Sequence, residues 1–460
     1  MTSFIYVQIG LLAFYIVLVC ILEKDIKLFN PIILMPIVYF VEYGASSLYM
    51  VLDPSNFWGF DFYSLPIINK GLLFINGVFL FFILGYYSVN YNKHIKSFTA
   101  KLINKIPDIN NYTIQIKNLT LLLIILLIVG WIARILVIKT GGYYHTESGD
   151  INAVRQSASY TFYSQYIAMG SLFPIVALAL IFSEWLKSNK KQYLFISFVF
   201  LLLEVAYALP SGSKERILLP LAIILFLYSL KKKLPIIPLI LFVVLFMFFV
   251  FPFVGIYRSI VLSGNMIKDL QLVSFFYCRL FGHIQTSLNG IFYSIFGERF
   301  NYSIIVSTIV ERTPLVCDFK YGYTYVIFLI SLIPRILWPG KPGIADFAND
   351  FGRDYGFISP VDYTTSVDMT WVGEMFINFG WFGVIVGFFY GLFYRTIYDY
   401  FMRNRKLSPL AVILYVFTLY YMLRGGMFAA QFGGLLKLYI VIFIIFSPFL
   451  QKTDNKSVSK

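Results

Sequence analysis

Long apolar runs separated by short polar and basic segments repeat from residue 4 almost to the end of the sequence. Runs of about 15 to 25 residues suit helices that cross a hydrocarbon layer roughly 30 Å thick. They predict eleven spans, at approximately 4–22, 29–52, 71–89, 119–138, 166–183, 194–210, 217–230, 235–255, 374–394, 409–423 and 435–450. Between the eighth and ninth lies one long segment, about 256–371, too aromatic to be disordered and too long to be a simple connection. It is expected to fold over the mouth of the helical bundle. Within it, 272–297 is interrupted by Arg279, His283 and Gln285, and 323–334 is too short to span, so both read as interfacial or re-entrant elements. The first run has no basic residue before it and no small-residue cleavage site after it, so it is expected to stay as a span. No internal repeat or low-complexity tract is visible. The expected fold class is an all-α polytopic membrane protein, with residues 1–460 forming a single transmembrane domain.

Composition removes the soluble alternatives: 59% of residues are hydrophobic, 13% are charged and the mean hydropathy is +0.76. A net charge of +14 would suit a nucleic-acid partner, but the location of the charge decides otherwise. Segments 23–28, 90–118, 184–193, 231–234, 395–408 and 451–460 hold 20 of the 37 basic residues and six of the 23 acidic ones, a surplus equal to the whole net charge. That is the positive-inside pattern, which makes these segments cytoplasmic, the N-terminus outer and the C-terminus inner. The lipid bilayer, with no nucleic acid, accounts for the charge.

Against that trend, Arg155, Lys214, Arg216, Arg258, Arg279, Arg299, Arg312, Lys320, Arg335, Lys341, Arg353 and Arg424 fall on the expected outer side. The long segment prefers Arg to Lys by six to three, whereas the cytoplasmic set prefers Lys by seventeen to three. Guanidinium forks bind phosphate bidentately, so the exchange suits a diphosphate partner. Ordinary ion pairing with the nine acids of the same segment is the competing reading for any one arginine. The turn Gly212-Ser213-Lys214-Glu215-Arg216 offers N–H groups and two cations as an anion nest.

Inside the spans, Glu42, Arg134, Glu204 and Lys437 are ionisable. Glu204 reads either as a proton or cation site of a transporter or as a protonated or helix-paired carboxyl. Asp346, Asp350 and Asp354 recur every four residues, but Gly352 and Gly356 argue against a helix there. His145, His283, Cys20, Cys278 and Cys317 show no metal spacing, so neither metal nor cofactor is expected; Cys278 and Cys317, both on the expected outer side, read as unpaired thiols or as a disulfide. His283 is a candidate acid or base, and otherwise a hydrogen-bonded loop histidine. Glu374 is the leading candidate base; its structural alternative is an ion pair with Lys341 or Arg335.

Two stretches carry a resemblance: Pro334-Arg335-Ile336-Leu337-Trp338-Pro339-Gly340-Lys341-Pro342, and Gly373-Glu374-Met375-Phe376-Ile377-Asn378-Phe379-Gly380-Trp381-Phe382-Gly383. In order and expected side they resemble the Pro-Arg-x-x-Trp-Pro-x-Lys-Pro and Glu-x-x-x-Asn-Phe-Gly elements of the oligosaccharide repeat unit polymerases, the O-antigen polymerase (Wzy-type) family. Arg279 also precedes Gly290 with the Arg-x10-Gly spacing of some members. The resemblance implies a bacterial inner-membrane glycosyltransferase of lipopolysaccharide or capsule synthesis. It would transfer growing glycan from undecaprenyl diphosphate to a lipid-linked repeat unit, beside a flippase and a chain-length regulator. It implies Arg216, Arg258, Arg279, Arg335 and Lys341 as diphosphate or acceptor contacts, supported by Lys214, Arg353 and Arg155. Trp338 would be a sugar-stacking platform and Glu374 the base. The rival readings are an O-antigen ligase, a flippase for the same lipid-linked units, and an inert scaffold.

Overall fold

The structure is a computed structural model that describes residues 2–23, 27, 29–52, 65–114, 116–139, 164–211, 213–230, 232, 241, 244–250, 253–254, 271–272, 274–275, 292, 295–296, 300–333, 337–338, 340–363, 365–403 and 408–452. In chain order its main elements begin with α1 (Thr2–Leu22), α2 (Pro31–Leu52), α3 (Leu65–Tyr91), α4 (Lys93–Lys105) and the strand β1 (Tyr112–Ile114). Next come α5 (Ile116–Lys139), α6 (Ser164–Gly170), α7 (Phe173–Ser188), α8 (Lys191–Ala208) and α9 (Lys214–Ser229). The remainder are α10 (Tyr302–Arg312), α11 (Tyr323–Leu332), α12 (Ile344–Asp354), α13 (Trp371–Phe379), α14 (Gly383–Met402), α15 (Pro409–Arg424), α16 (Phe428–Phe446) and the strand β2 (Leu450–Lys452).

Among the described residues, eight helical segments are long and apolar enough to cross a membrane: Thr2–Leu22, Pro31–Leu52, Leu65–Tyr91, Asn118–Lys139, Tyr166–Ser188, Lys191–Ser211, Trp371–Met402 and Phe428–Phe449. Each coincides with an expected span. The expected spans at 409–423 and 217–230 are helices of 16 residues, α15 and α9, about 24 Å long at 1.5 Å per residue. The expected span at 235–255 lies largely outside the described residues. Helix α11 has ten residues, roughly 15 Å, half of what a crossing needs. Gly352 does not break α12 as the sequence suggested. Its missing side chain admits Val367, whose Cγ2 lies 2.8 Å from where a Cβ would stand.

The chain divides into two compact units. The first comprises residues 1–109, 296–407 and 417–439, and the second 110–295, 408–416 and 440–460. In the first, α3 and α14 touch backbone to backbone. A Cβ on Gly391 would lie 2.0 Å from the Phe82 carbonyl oxygen, and one on Gly85 1.9 Å from that of Phe388. Small residues permit such approach where lipid gives no hydrophobic drive to helix pairing. Helix α10, read from sequence as part of an outer loop, is a core element whose Ser307 fills the space left by Gly71 of α3. Beside these, Tyr39, Phe79, Phe82, Trp371 and Tyr390 form a continuous aromatic chain, stacked at 4.2 Å (Tyr39–Phe79), 5.6 Å (Phe79–Phe82) and 5.1 Å (Trp371–Tyr390), with Phe82 edge-on to Trp371 at 5.9 Å.

The second unit buries one ion pair. Arg134 Nη2 donates to Glu204 Oε2 at 2.6 Å, with only 1% and 4% of the two side chains exposed. Arg134 Nε donates to the Ser171 carbonyl at 3.1 Å, and the guanidinium stacks 4.1 Å from the Tyr207 ring. Of the two readings of Glu204, the helix-paired carboxyl is the observed one. A short antiparallel pairing, unforeseen in the sequence, joins β1 to β2 with Tyr112 opposite Lys452.

Candidate functional site

The Glu-x-x-x-Asn spacing on α13 sets Glu374 and Asn378 one turn apart on one helix face, and each reaches the start of another helix. Asn378 Oδ1 accepts from the Gly322 N–H at 2.8 Å, at the cap of α11, and its Nδ2 donates to Thr324 Oγ1 at 2.7 Å. Glu374 Oε2 accepts from the Phe428 N–H at 2.7 Å, the first residue of α16. Helix starts leave N–H groups without intrahelical partners and carry partial positive charge, so a buried amide and a buried carboxylate suit them. Glu374 is 0% exposed, and its Oε1 has no hydrogen-bond partner among the described residues. It does not pair with Lys341, contrary to the structural alternative raised from sequence.

Lys341 serves the opposite end of α11. Its buried Nζ donates to the Ser331 carbonyl at 3.0 Å and to that of Ile333, the last carbonyls of the helix, where a cation is favoured. The two sequence motifs thus converge on one ten-residue helix, Asn378 at its start and Lys341 at its end. On the chain between the end of α11 and Lys341, Trp338 is 42% exposed. Arg353 stacks 4.2 Å from the Tyr363 ring, donates from Nε to Asn349 Oδ1 at 3.1 Å and pairs with Asp350. Asp346 caps α12 by accepting from the Gly343 N–H at 2.9 Å. Two of the three aspartates that recur every four residues, Asp346 and Asp350, therefore serve α12 itself, and no group of three His, Cys, Asp or Glu side chains among the described residues is arranged to hold a metal.

Of the remaining sequence candidates, Arg155, Arg258, Arg279, His283 and Arg335 lie outside the described residues, as does the Lys214 side chain. Arg216 is half-buried in the first turn of α9, in the second unit, where its charge and that of Arg134 both act on Tyr207. Cys317 is a free thiol, pushed up by burial.

The structure sets Arg424, counted in the sequence only as one of the outer cations, beside Asp368 and a Gly-Gly turn that sequence reasoning passed over. Between α15, which ends on Arg424, and α16 runs Gly425-Gly426-Met427, held at several points. The Trp371 N–H donates to the Gly425 carbonyl at 2.9 Å, and Asp368 Oδ1 accepts from both the Met427 N–H at 3.1 Å and the Thr370 N–H at 3.0 Å. Gly425 has φ +73°, which favours glycine, and the Glu42 carboxylate lies 3.4 Å from where its Cβ would stand. Gly426 leaves room for Asp368 Oδ2, which a Cβ would approach to 2.4 Å. Glu42 itself sits in a π turn, Phe40–Ala45, and Thr370 holds φ +60°; such departures from regular geometry gather at functional sites. Asp368 is exposed although protein crowds around it, so it lies in a cleft, and Arg424 beside it is exposed as well. That crowding lifts the Asp368 carboxyl above the ordinary range, against the pull of its backbone N–H bonds and of the Arg424 guanidinium. The sequence signals were a Gly-Gly pair directly after an arginine, and an aspartate three residues ahead of a span.

Eight candidate crossings among the described residues, nearly all of them helical, and an accessible Asp–Arg cleft at helix ends define a polytopic membrane protein with a polar site. The sequence matches the O-antigen polysaccharide polymerase Wzy family over residues 1–456, essentially its whole length, and the chain belongs to that family. Searches of curated proteins and of solved structures returned no match. Wzy proteins are inner-membrane enzymes that polymerise lipid-linked O-antigen repeat units during surface polysaccharide synthesis.

Proposed function

We propose that this chain transfers growing glycan from undecaprenyl diphosphate to a lipid-linked repeat unit on the outer face of the inner membrane. The observation that carries this reading is the exposed residue Arg424 at the end of α15, followed by a turn fixed through backbone hydrogen bonds to Asp368 and Trp371. The sugar–diphosphate bond is already activated. As it breaks, negative charge grows on the departing diphosphate, and a cation held ready there lowers the barrier without reorganising. Arg216, Lys214, Arg155, Arg258, Arg279, Arg335 and Arg353 stay candidate substrate contacts on the family resemblance alone, and Trp338 offers an exposed ring to a sugar. Lys341 acts through structure, fixing the end of α11 and with it the segment that carries Trp338. The ion pairing of Glu204 with Arg134 argues against a flippase built on that carboxyl.

The test is incubation of purified protein with defined undecaprenyl-diphosphate-linked repeat units, products resolved by ladder length. The wild type should give a ladder, and R424A and R335A should leave mainly single units at normal protein level. Absence of a ladder from the wild type refutes polymerisation; transfer of preformed long chains to a lipid A core acceptor, without lengthening, would assign a ligase.

A further inference from the structure

We infer that Asp368, and not Glu374, is the general base that takes the proton from the acceptor sugar hydroxyl, with Arg424 facing the departing diphosphate in the same cleft. The inference rests on the polymerase reading above and names the residue that completes its chemistry.

Accessibility decides between the two carboxylates. Glu374 is fully buried and commits Oε2 to the Phe428 N–H, so no acceptor sugar reaches it in this structure. Asp368 is open to solvent. Both of its hydrogen bonds fall on Oδ1, from Thr370 and Met427, so the carboxylate is oriented by backbone, while Oδ2 lies against Gly426, where any side chain would crowd it. A base must be held in place and yet meet its proton at hydrogen-bond distance, and this carboxylate meets both conditions. Arg424, the cation whose charge acts on Asp368, is assigned the opposite end of the same displacement.

The step balances as follows. The acceptor hydroxyl gives its proton to Asp368 Oδ2, and its oxygen forms the bond to the anomeric carbon. The bond from that carbon to the diphosphate oxygen breaks, and its electron pair leaves with the diphosphate. Asp368 then returns the proton to solvent through the open cleft.

Ionisable groups packed around Asp368 are Arg424 of α15, Glu374 of α13 and Tyr43 of α2, with Glu42 alongside at Gly425. Since the base works deprotonated, the rate is present above its pKa and lost as pH falls through it. The experiment measures kcat, KM and the pH profile of the full-length protein on the lipid-linked repeat units. In D368N the amide oxygen can still accept the two backbone N–H bonds, so the variant should melt within a few degrees of the wild type. Its kcat should fall at least about 100-fold, with KM little changed and the acidic limb gone. In E374Q, whatever rate remains should keep the wild-type acidic limb. R424Q removes a cation that pulls the carboxyl down, so the acidic limb of its residual rate should move to higher pH. A D368N enzyme within tenfold of wild type with its acidic limb intact overturns the inference, as does loss of that limb in E374Q, or an unmoved limb in R424Q. A wild type that makes no ladder refutes the polymerase reading instead.

Discussion

Lys341 illustrates how a residue chosen for substrate binding can carry structure. As a helix-end cation it satisfies two carbonyls in a buried place, and hydrogen bonds to charged groups are each worth about 1.5–3 kcal/mol. K341M should therefore lower the detergent melting temperature, with KM for lipid-linked units little affected in the folded fraction; a raised KM at unchanged melting temperature would return Lys341 to the substrate. Arg134 and Glu204 allow a sharper test, because breaking a buried pair strands a charge at about 3–5 kcal/mol, whereas removing both leaves none. R134M and E204M alone should cut membrane levels of the protein severely, and the double variant should recover much of the loss, read by immunoblot. Each of these residues was visible in the sequence as a charge in an unusual place. What could not be read there was the partner: Glu374 meets Phe428 54 residues away, and Arg134 meets Glu204 at a separation of 70. Asp368 was passed over because, to a reader of sequence, it is one acid among nine in its segment.

At the scale of elements, the long apolar runs fixed most of the helices because a span must satisfy every backbone group within itself, which requires a contiguous apolar stretch of known length. Elements shorter than a span escape that rule. Helix α10 has 11 residues and moderate polarity, and contacts with distant parts of the chain make it core: Ser307 against Gly71, Ser303 with Ser46, and Ile309 against Gly373. The α3–α14 contact has the same character, since nothing in the spacing of Gly85, Gly387 and Gly391 said which helix they meet. G391V should prevent the two backbones from approaching, because its Cβ would stand 2.0 Å from the Phe82 carbonyl oxygen. Loss of folded protein on size-exclusion chromatography is the expected result, whereas a similar change at Gly10, with nothing within 4 Å, should be tolerated.

For the whole molecule, charge distribution predicts a direction of insertion that cysteine accessibility can check. In a cysteine-free background, S97C on α4 should resist a membrane-impermeant maleimide in intact spheroplasts, and V361C, exposed ahead of α13, should react. Labelling in the reverse pattern would invert the topology and move the Asp368–Arg424 cleft to the cytoplasmic face. The start of α16 has a consequence for how the chain is assembled. Its terminal N–H groups, at Met427 and Phe428, are met by Asp368 and Glu374, which are made earlier and belong to the approach and first turn of α13. A nascent chain that has released α16 before α13 is seated would present those groups to lipid unsatisfied, at several kcal/mol each. The last crossing is therefore completed only against helices already in place, and a ribosome stalled before residue 427 would leave two carboxylates waiting at the translocon for partners not yet synthesised.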